Sequence, residues 1–199
     1  MKTVILGTAH LKSTAGKCSP DKRLREYTYS REIVAAVKAT LINYGYNVFV
    51  DIEDDDIKQS NELQLRCQIV NQLCKAYKDC IYVSIHLNAA GADDKWHNAT
   101  GWEVYTTPGV TKSDKLATCL YNAAKKNFTD IKLRTDFSDG DPDKEANLYV
   151  LKHTSCPAVL TENLFQDNKS DIEYLQSDKG FHEIVRIHVE GILNYIKSH

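Results

Sequence analysis

The chain has 199 residues, 42% of them hydrophobic and 26% charged, which suits one soluble globular domain spanning 1–199 with a buried core. Its formal net charge of −2 leaves no basic excess for nucleic acid or an anionic membrane surface. No apolar run approaches the roughly 20 residues of a membrane helix.

MKTVILGTAH opens the chain with a strand at 2–6, and His10 follows a few residues later. The apolar run is too short for a signal peptide. After a polar loop at 11–25, residues 26–43 place Ile33, Val34, Val37 and Leu41 on one helical stripe, and Gly45 ends the helix. YNVFV (46–50) is a second strand. Residues 60–78 form a helix opening at Ser60, with Leu63, Leu65, Ile69, Val70 and Leu73 along it. CIYVSIH (80–86) is an apolar strand that runs into His86. A loop at 88–100 leads to a strand at GWEVYTT (101–107), and a helix at 113–127 opens with Ser113. A loop at 130–146 carries the turn-rich DFSDGDPDKE. NLYVL (147–151) and PAVLT (157–161) read as strands, and Glu162 directly follows the second. A last helix covers 178–196. His188 falls on its stripe with Ile184 and Ile192, as a core histidine would.

Short apolar strands alternating with helices argue for an α/β fold. The expected form is a single three-layer domain, a mostly parallel twisted sheet with helices on both faces. In such sheets ligands bind outside the carboxyl ends of the strands. His10, His86 and Glu162 all stand at such ends. Glu26 joins them by helical geometry. It lies seven residues before Ile33 and eleven before Val37, offsets that return to within about 20° of the same direction. Glu32 points elsewhere and is expected in solvent. A carboxylate on the buried stripe must be paired, hydrogen-bonded or metal-bound. Two histidines and a carboxylate form a three-ligand set for catalytic zinc, and Glu162 is then free to act as general base. No HExxH, EF-hand loop, phosphate loop, GxSxG or Cys–His pairing offers another chemistry. The six cysteines include no CxxC and no zinc-finger spacing, so they read as small buried hydrophobes.

The chain resembles the zinc-dependent N-acetylmuramoyl-L-alanine amidases over nearly its whole length. His10 matches the family's first metal histidine, standing in GTAH where the family usually has a Gly-His-Gly turn. Glu26, nineteen residues before Gly45, matches the glutamate that opens the long helix. Leu63, Arg66 and Asn71 match Leu-x-x-Arg and a later Asn. Ser84, His86, Asn88 and Ala89 match Ser-x-His-x-Asn-Ala, the most specific of these motifs. GWEVY and PAVLTEN match a Gly before an aromatic strand and Pro-Ala-Val-Leu-x-Glu, with Glu162 as the catalytic glutamate.

The resemblance implies a zinc hydrolase cleaving the amide between the lactyl group of muramic acid and L-alanine in peptidoglycan. One Zn²⁺ per chain would be held by His10, Glu26 and His86. The expected partner is peptidoglycan, without nucleic acid or membrane, and the expected state is a monomer. No appended wall-binding domain is visible. Phage lysins and wall-remodelling enzymes share this shape. The lysin version would stay in the cytoplasm until release and then act on the wall, and a trimmed secreted enzyme would read the same. A zinc peptidase acting within the stem peptide and a non-catalytic wall- or metal-binding protein stay open as alternatives. Asn88 is expected to fix the loop after His86. Trp102 is expected in the core, and Trp96 beside the site.

Overall fold

The computed structural model describes residues 2–53 and 61–198. Its strands are β1 (Thr3–Thr8), β2 (Asn47–Val50), β3 (Cys80–Asn88), β4 (Trp102–Thr106), β5 (Lys144–Glu145) and β6 (Ala158–Phe165). Its helices are α1 (Glu26–Asn43), α2 (Glu62–Ala76), α3 (Lys112–Asn127), α4 (Tyr149–Lys152), α5 (Lys169–Leu175) and α6 (Asp178–Ser198). The sheet runs β2-β1-β3-β6-β4-β5, and every pairing is parallel except β4 with β6.

Period-2 alternation sorts the strand residues onto two unlike faces. Ile81, Val83, Ile85 and Leu87 of β3 enter the larger core with α1, α3 and α6. Cys80 and Tyr82 enter a smaller one with Cys67 and Val70 of α2 and Val150 and Leu151 of α4. Helices therefore cover both faces, and the fold is the expected three-layer α/β domain. Beyond Tyr82 and Leu160, towards the carboxyl ends of β3 and β6, the second face turns polar. Alternation puts Ser84, His86, Asn88, Glu162 and Glu103 there. This is where the site forms.

Several elements depart from the expected ones. NLYVL contains α4 rather than a strand. Its adjacent residues Val150 and Leu151 are both buried in the smaller core, which a strand's alternation forbids. The loop 130–146 contains the two-residue β5, and the turn of helix α5 follows β6. β3 and β6 run on through His86 and Glu162, so both residues sit inside strands. α3 is capped by Thr111 in a capping box with Asp114, not by Ser113, whose hydroxyl instead accepts Ala158 N at 3.0 Å. Ser60 lies outside the described residues, and α2 begins at Glu62. All six cysteines are free thiols. No described helix is long and apolar enough to cross a membrane.

Candidate active site

His10, Glu26 and His86 converge from three distant segments, and their ligand atoms all lie within 4.8 Å of one another. Glu26 is the first residue of α1 and only 1% exposed. Its Oε2 is 3.3 Å from His10 Nε2, and its Oε1 is 3.1 Å from His86 Nδ1. Leu87 N donates to Oε1 at 3.1 Å and Gln166 Nε2 to Oε2 at 3.2 Å. Burial alone would raise the carboxyl's pKa, but the hydrogen bonds from His10 and His86 outweigh it and hold the group well below the usual range. His10 stands in the left-handed region at φ 50°. Its carbonyl is fixed there by Arg31 Nη2 (3.1 Å) and Arg66 Nη2 (3.0 Å).

A buried chain of hydrogen bonds orients His86 from behind. Arg66 Nη1 donates to Asp51 Oδ2 at 2.7 Å, and Tyr82 donates its hydroxyl proton to the same oxygen at 2.9 Å. The Tyr82 hydroxyl is also bonded to Ser84, whose Oγ lies 3.0 Å from His86 Nε2. Gly7 makes room for the chain: a Cβ there would lie 2.3 Å from Tyr82 Oη and 2.8 Å from Ser84 Oγ. Ser84 Oγ on one side and Glu26 Oε1 on the other thus hold the His86 ring in place. Two imidazole nitrogens and a carboxylate oxygen are the donors a zinc ion takes, so the residues present fit that metal.

Glu162 is the cross-strand neighbour of His86 on one side and of Glu103 on the other. The three share one row on one face. Glu162 Oε2 is closed to solvent and has no hydrogen-bond partner among the described residues. Burial first, then the negative charges of Glu26 and Glu103, push its carboxyl well above the usual range, against a smaller pull from Lys17. Just past it β6 bulges: His86 pairs with Glu162, but Asn88 pairs with Phe165, and Leu164 takes φ 67°. The extra residue lets Asn163 Nδ2 reach His86 O at 2.9 Å.

Glu103 is 1% exposed and saturated. Its Oε1 accepts Asn88 Nδ2 (2.5 Å) and Tyr105 OH (3.0 Å), and its Oε2 accepts Arg134 Nε (2.8 Å) and Lys144 Nζ (2.6 Å). Burial opposes its charge, but Lys144 and Arg134 outweigh that and keep its pKa low.

Residues 4–194 match the family model described as N-acetylmuramoyl-L-alanine amidase. The chain belongs to this family. Over 174 residues it is 32% identical to the N-acetylmuramoyl-L-alanine amidase CwlM of Bacillus licheniformis. Over 173 residues it is 31% identical to the endolysin of Bacillus phage SPP1. Each match covers 85% of this chain but 59% and 57% of the relatives, so the chain spans under two thirds of their length. In fold it matches the N-acetylmuramoyl-L-alanine amidase from Clostridium difficile 630, with a TM-score of 0.80 at 24% identity over 98% of this chain and 97% of that one.

Of the family motifs, Asn71 binds backbone. Its side chain joins His153 O and Ser155 N, both at 2.8 Å, and so pins the turn that leads into β6. Asn88 accepts Ala89 N at 2.9 Å at the start of the loop, as expected, and also donates to Glu103 near the site. Trp102 is core, 1% exposed, with Nε1 on Asn163 Oδ1 at 2.8 Å. Trp96 is half-buried under Lys169. His188 is core, as expected. Asp51, Tyr82, Glu103 and Gln166 escaped the sequence reading. Each sits in an apolar or loop context whose spacing carries no sign of the partners it meets.

Proposed function

We propose that this chain is a zinc-dependent N-acetylmuramoyl-L-alanine amidase, hydrolysing the bond between the muramic lactyl group and L-alanine. One observation carries the reading: a two-histidine, one-carboxylate cluster lies beside a separate carboxylate with an unpartnered oxygen. His10 Nε2, Glu26 and His86 Nδ1 would hold the metal. Zinc, when bound, polarises the scissile carbonyl and eases ionisation of water at neutral pH. Glu26 supplies the negative charge, and the Asp51–Tyr82–Ser84 chain keeps the His86 ring turned towards it. Glu162 takes the proton of the attacking water and passes it to the departing amine of L-alanine. General acid–base transfer of this kind is typically worth about 10²–10⁴ in rate. Peptidoglycan is thus the substrate, and one zinc per chain the cofactor.

Two measurements test this. Digestion of purified wall should release L-alanine amino ends and free muramic lactyl groups. New ends inside the stem peptide would make the protein a peptidase instead. Exhaustive chelation should abolish the activity, and added zinc should restore part of it. Full activity with metal shown to be absent rules the mechanism out.

A further inference from the structure

Arg134 sits beside Glu103 with most of its hydrogen-bonding capacity unused among the described residues. Residues 132–134 lie along the start of β4: Trp102 N donates to Lys132 O at 2.9 Å, and Arg134 N donates to Trp102 O at 2.8 Å. Gly101, at φ 120°, permits this approach, since a Cβ there would lie 2.6 Å from Lys132 O and 3.0 Å from Arg134 Cγ. The Arg134 side chain is thereby laid over Glu103, next to Glu162, with its guanidinium carbon 5.1 Å from the centre of the Phe165 ring.

Glu103 cannot use all that is offered to it. Four donors already fill its two oxygens. Arg134 spends only its Nε there. Neither Nη group, nor the rest of the Lys144 ammonium, has an acceptor among the described residues. The two side chains are 29% and 26% exposed, so both reach solvent in part. One cation would neutralise Glu103. Lys144 also attracts Asp136, so the cation left for a ligand is chiefly Arg134, carrying a planar fork that matches a carboxylate bidentately.

We infer that Arg134 and Lys144 form a carboxylate-binding subsite for the peptide half of the substrate. The inference rests on the amidase reading above. Glu103 stands two strands from His86, about 10 Å at roughly 4.8 Å per strand. An extended peptide advances about 3.3–3.6 Å per residue. The carboxylate that reaches the Arg134 fork therefore lies on the second or third residue beyond the scissile amide. The subsite selects stem peptides that keep this acid free over those in which it is amidated.

The test uses the zinc-loaded enzyme and muramoyl tripeptides that differ only in a carboxylate or carboxamide at the second or third residue. The wild type should cleave one carboxylate form with a KM about tenfold or more below its carboxamide partner, the size expected for a charged hydrogen-bonded pair. Arg134→Gln should erase that preference by raising KM for the carboxylate form alone. Arg134→Lys should restore part of it. Lys144→Gln, on the exposed edge strand, should weaken the preference less and serves if the Arg134→Gln chain does not fold. A variant that harms both substrates equally has only loosened Glu103, and this overturns the subsite. So does a wild type that cleaves both forms alike, with the amidase reading left standing. Cleavage of neither form overturns the amidase reading and the subsite with it.

Discussion

At the level of residues 161–163 both faces of the sheet carry polar side chains, and the two sets are built differently. On the core face, His188 Nε2 lies 2.9 Å from Thr161 Oγ1 and its Nδ1 2.7 Å from Ile184 O. Asn163 accepts from Trp102 and donates to Thr161 Oγ1 and His86 O. Thr161, Asn163 and His188 are fully buried, and their groups are turned on one another. On the opposite face, Glu162 has an oxygen and Arg134 a fork without partners among the described residues, and Glu26 faces two imidazoles. An unsatisfied buried polar atom costs about 1–3 kcal/mol. At this level the polar groups of the core face are closed against each other. Those of the opposite face keep unspent capacity, and the fold carries the cost.

The comparison breaks most sharply at Glu162. Glu162→Gln preserves shape and fills the orphan position with an amide, so fold and zinc content should persist. The rate of wall cleavage should fall about 10²–10⁴-fold, because the amide cannot accept the water's proton. Near-normal turnover in a zinc-replete variant would falsify the assignment of Glu162 as base.

The core face should respond to pH and not to substrate. Burial drives the pKa of His188 down to about 4, against a smaller pull from its bond to Ile184 O. The unfolded chain takes up this proton near pH 6.5, whereas the folded chain resists it until about pH 4. The unfolded state thus binds more protons in that window, and stability falls as pH drops through it. The loss amounts to about 3 kcal/mol at most. Melting curves between pH 7 and 4 should show this slope, flattened in His188→Gln. An equal slope in both proteins assigns the pH dependence elsewhere.

A smaller effect should come from behind the cleft. Tyr82→Phe removes the hydroxyl that links Asp51 to Ser84 without opening a cavity. Zinc affinity should drop roughly 10–100-fold, as loss of an outer partner does in metal sites. Ser84→Ala should do the same, and the two changes together should cost little more than either alone. Competition with a chromophoric chelator reads the affinity. Unchanged zinc binding in both variants would mean that the His86 ring is held without this chain.

How much of this was legible depends on what each feature rests on. Glu26 was legible because helical period is a property of sequence, and its offsets from Ile33 and Val37 hold in the fold. His10, His86 and Glu162 were legible because apolar strands announce where they lead. Glu103 was not. Its place beside Glu162 depends on β4 pairing antiparallel with β6, a tertiary choice that no local pattern encodes. Nor was the bulge at Leu164, since nothing in ENLF demands a left-handed leucine. NLYVL misled because a short apolar run fits a strand or a helical turn equally well. Asp51 gave no sign of its role, since its partners Arg66 and Tyr82 come from other segments.

The smallest effect is expected at the second of two glutamates of α1. Glu26 and Glu32 are six residues apart, so they face directions about 120° apart. Glu26 is 1% exposed and meets His10, His86, Leu87 and Gln166, while Glu32 is exposed to solvent. Glu26→Ala should strip a charged ligand, leave two imidazoles without their counter-charge and greatly weaken zinc binding. Glu32→Ala should stay within about 0.5 kcal/mol of wild type in stability, as a solvated surface position does, and keep full zinc content. Both should be measured at equal concentration for bound zinc, melting temperature and wall lysis. If Glu32→Ala loses zinc while Glu26→Ala keeps it, the first turn of α1 does not supply the metal's carboxylate. The division between the two faces would then have to be redrawn around another acid.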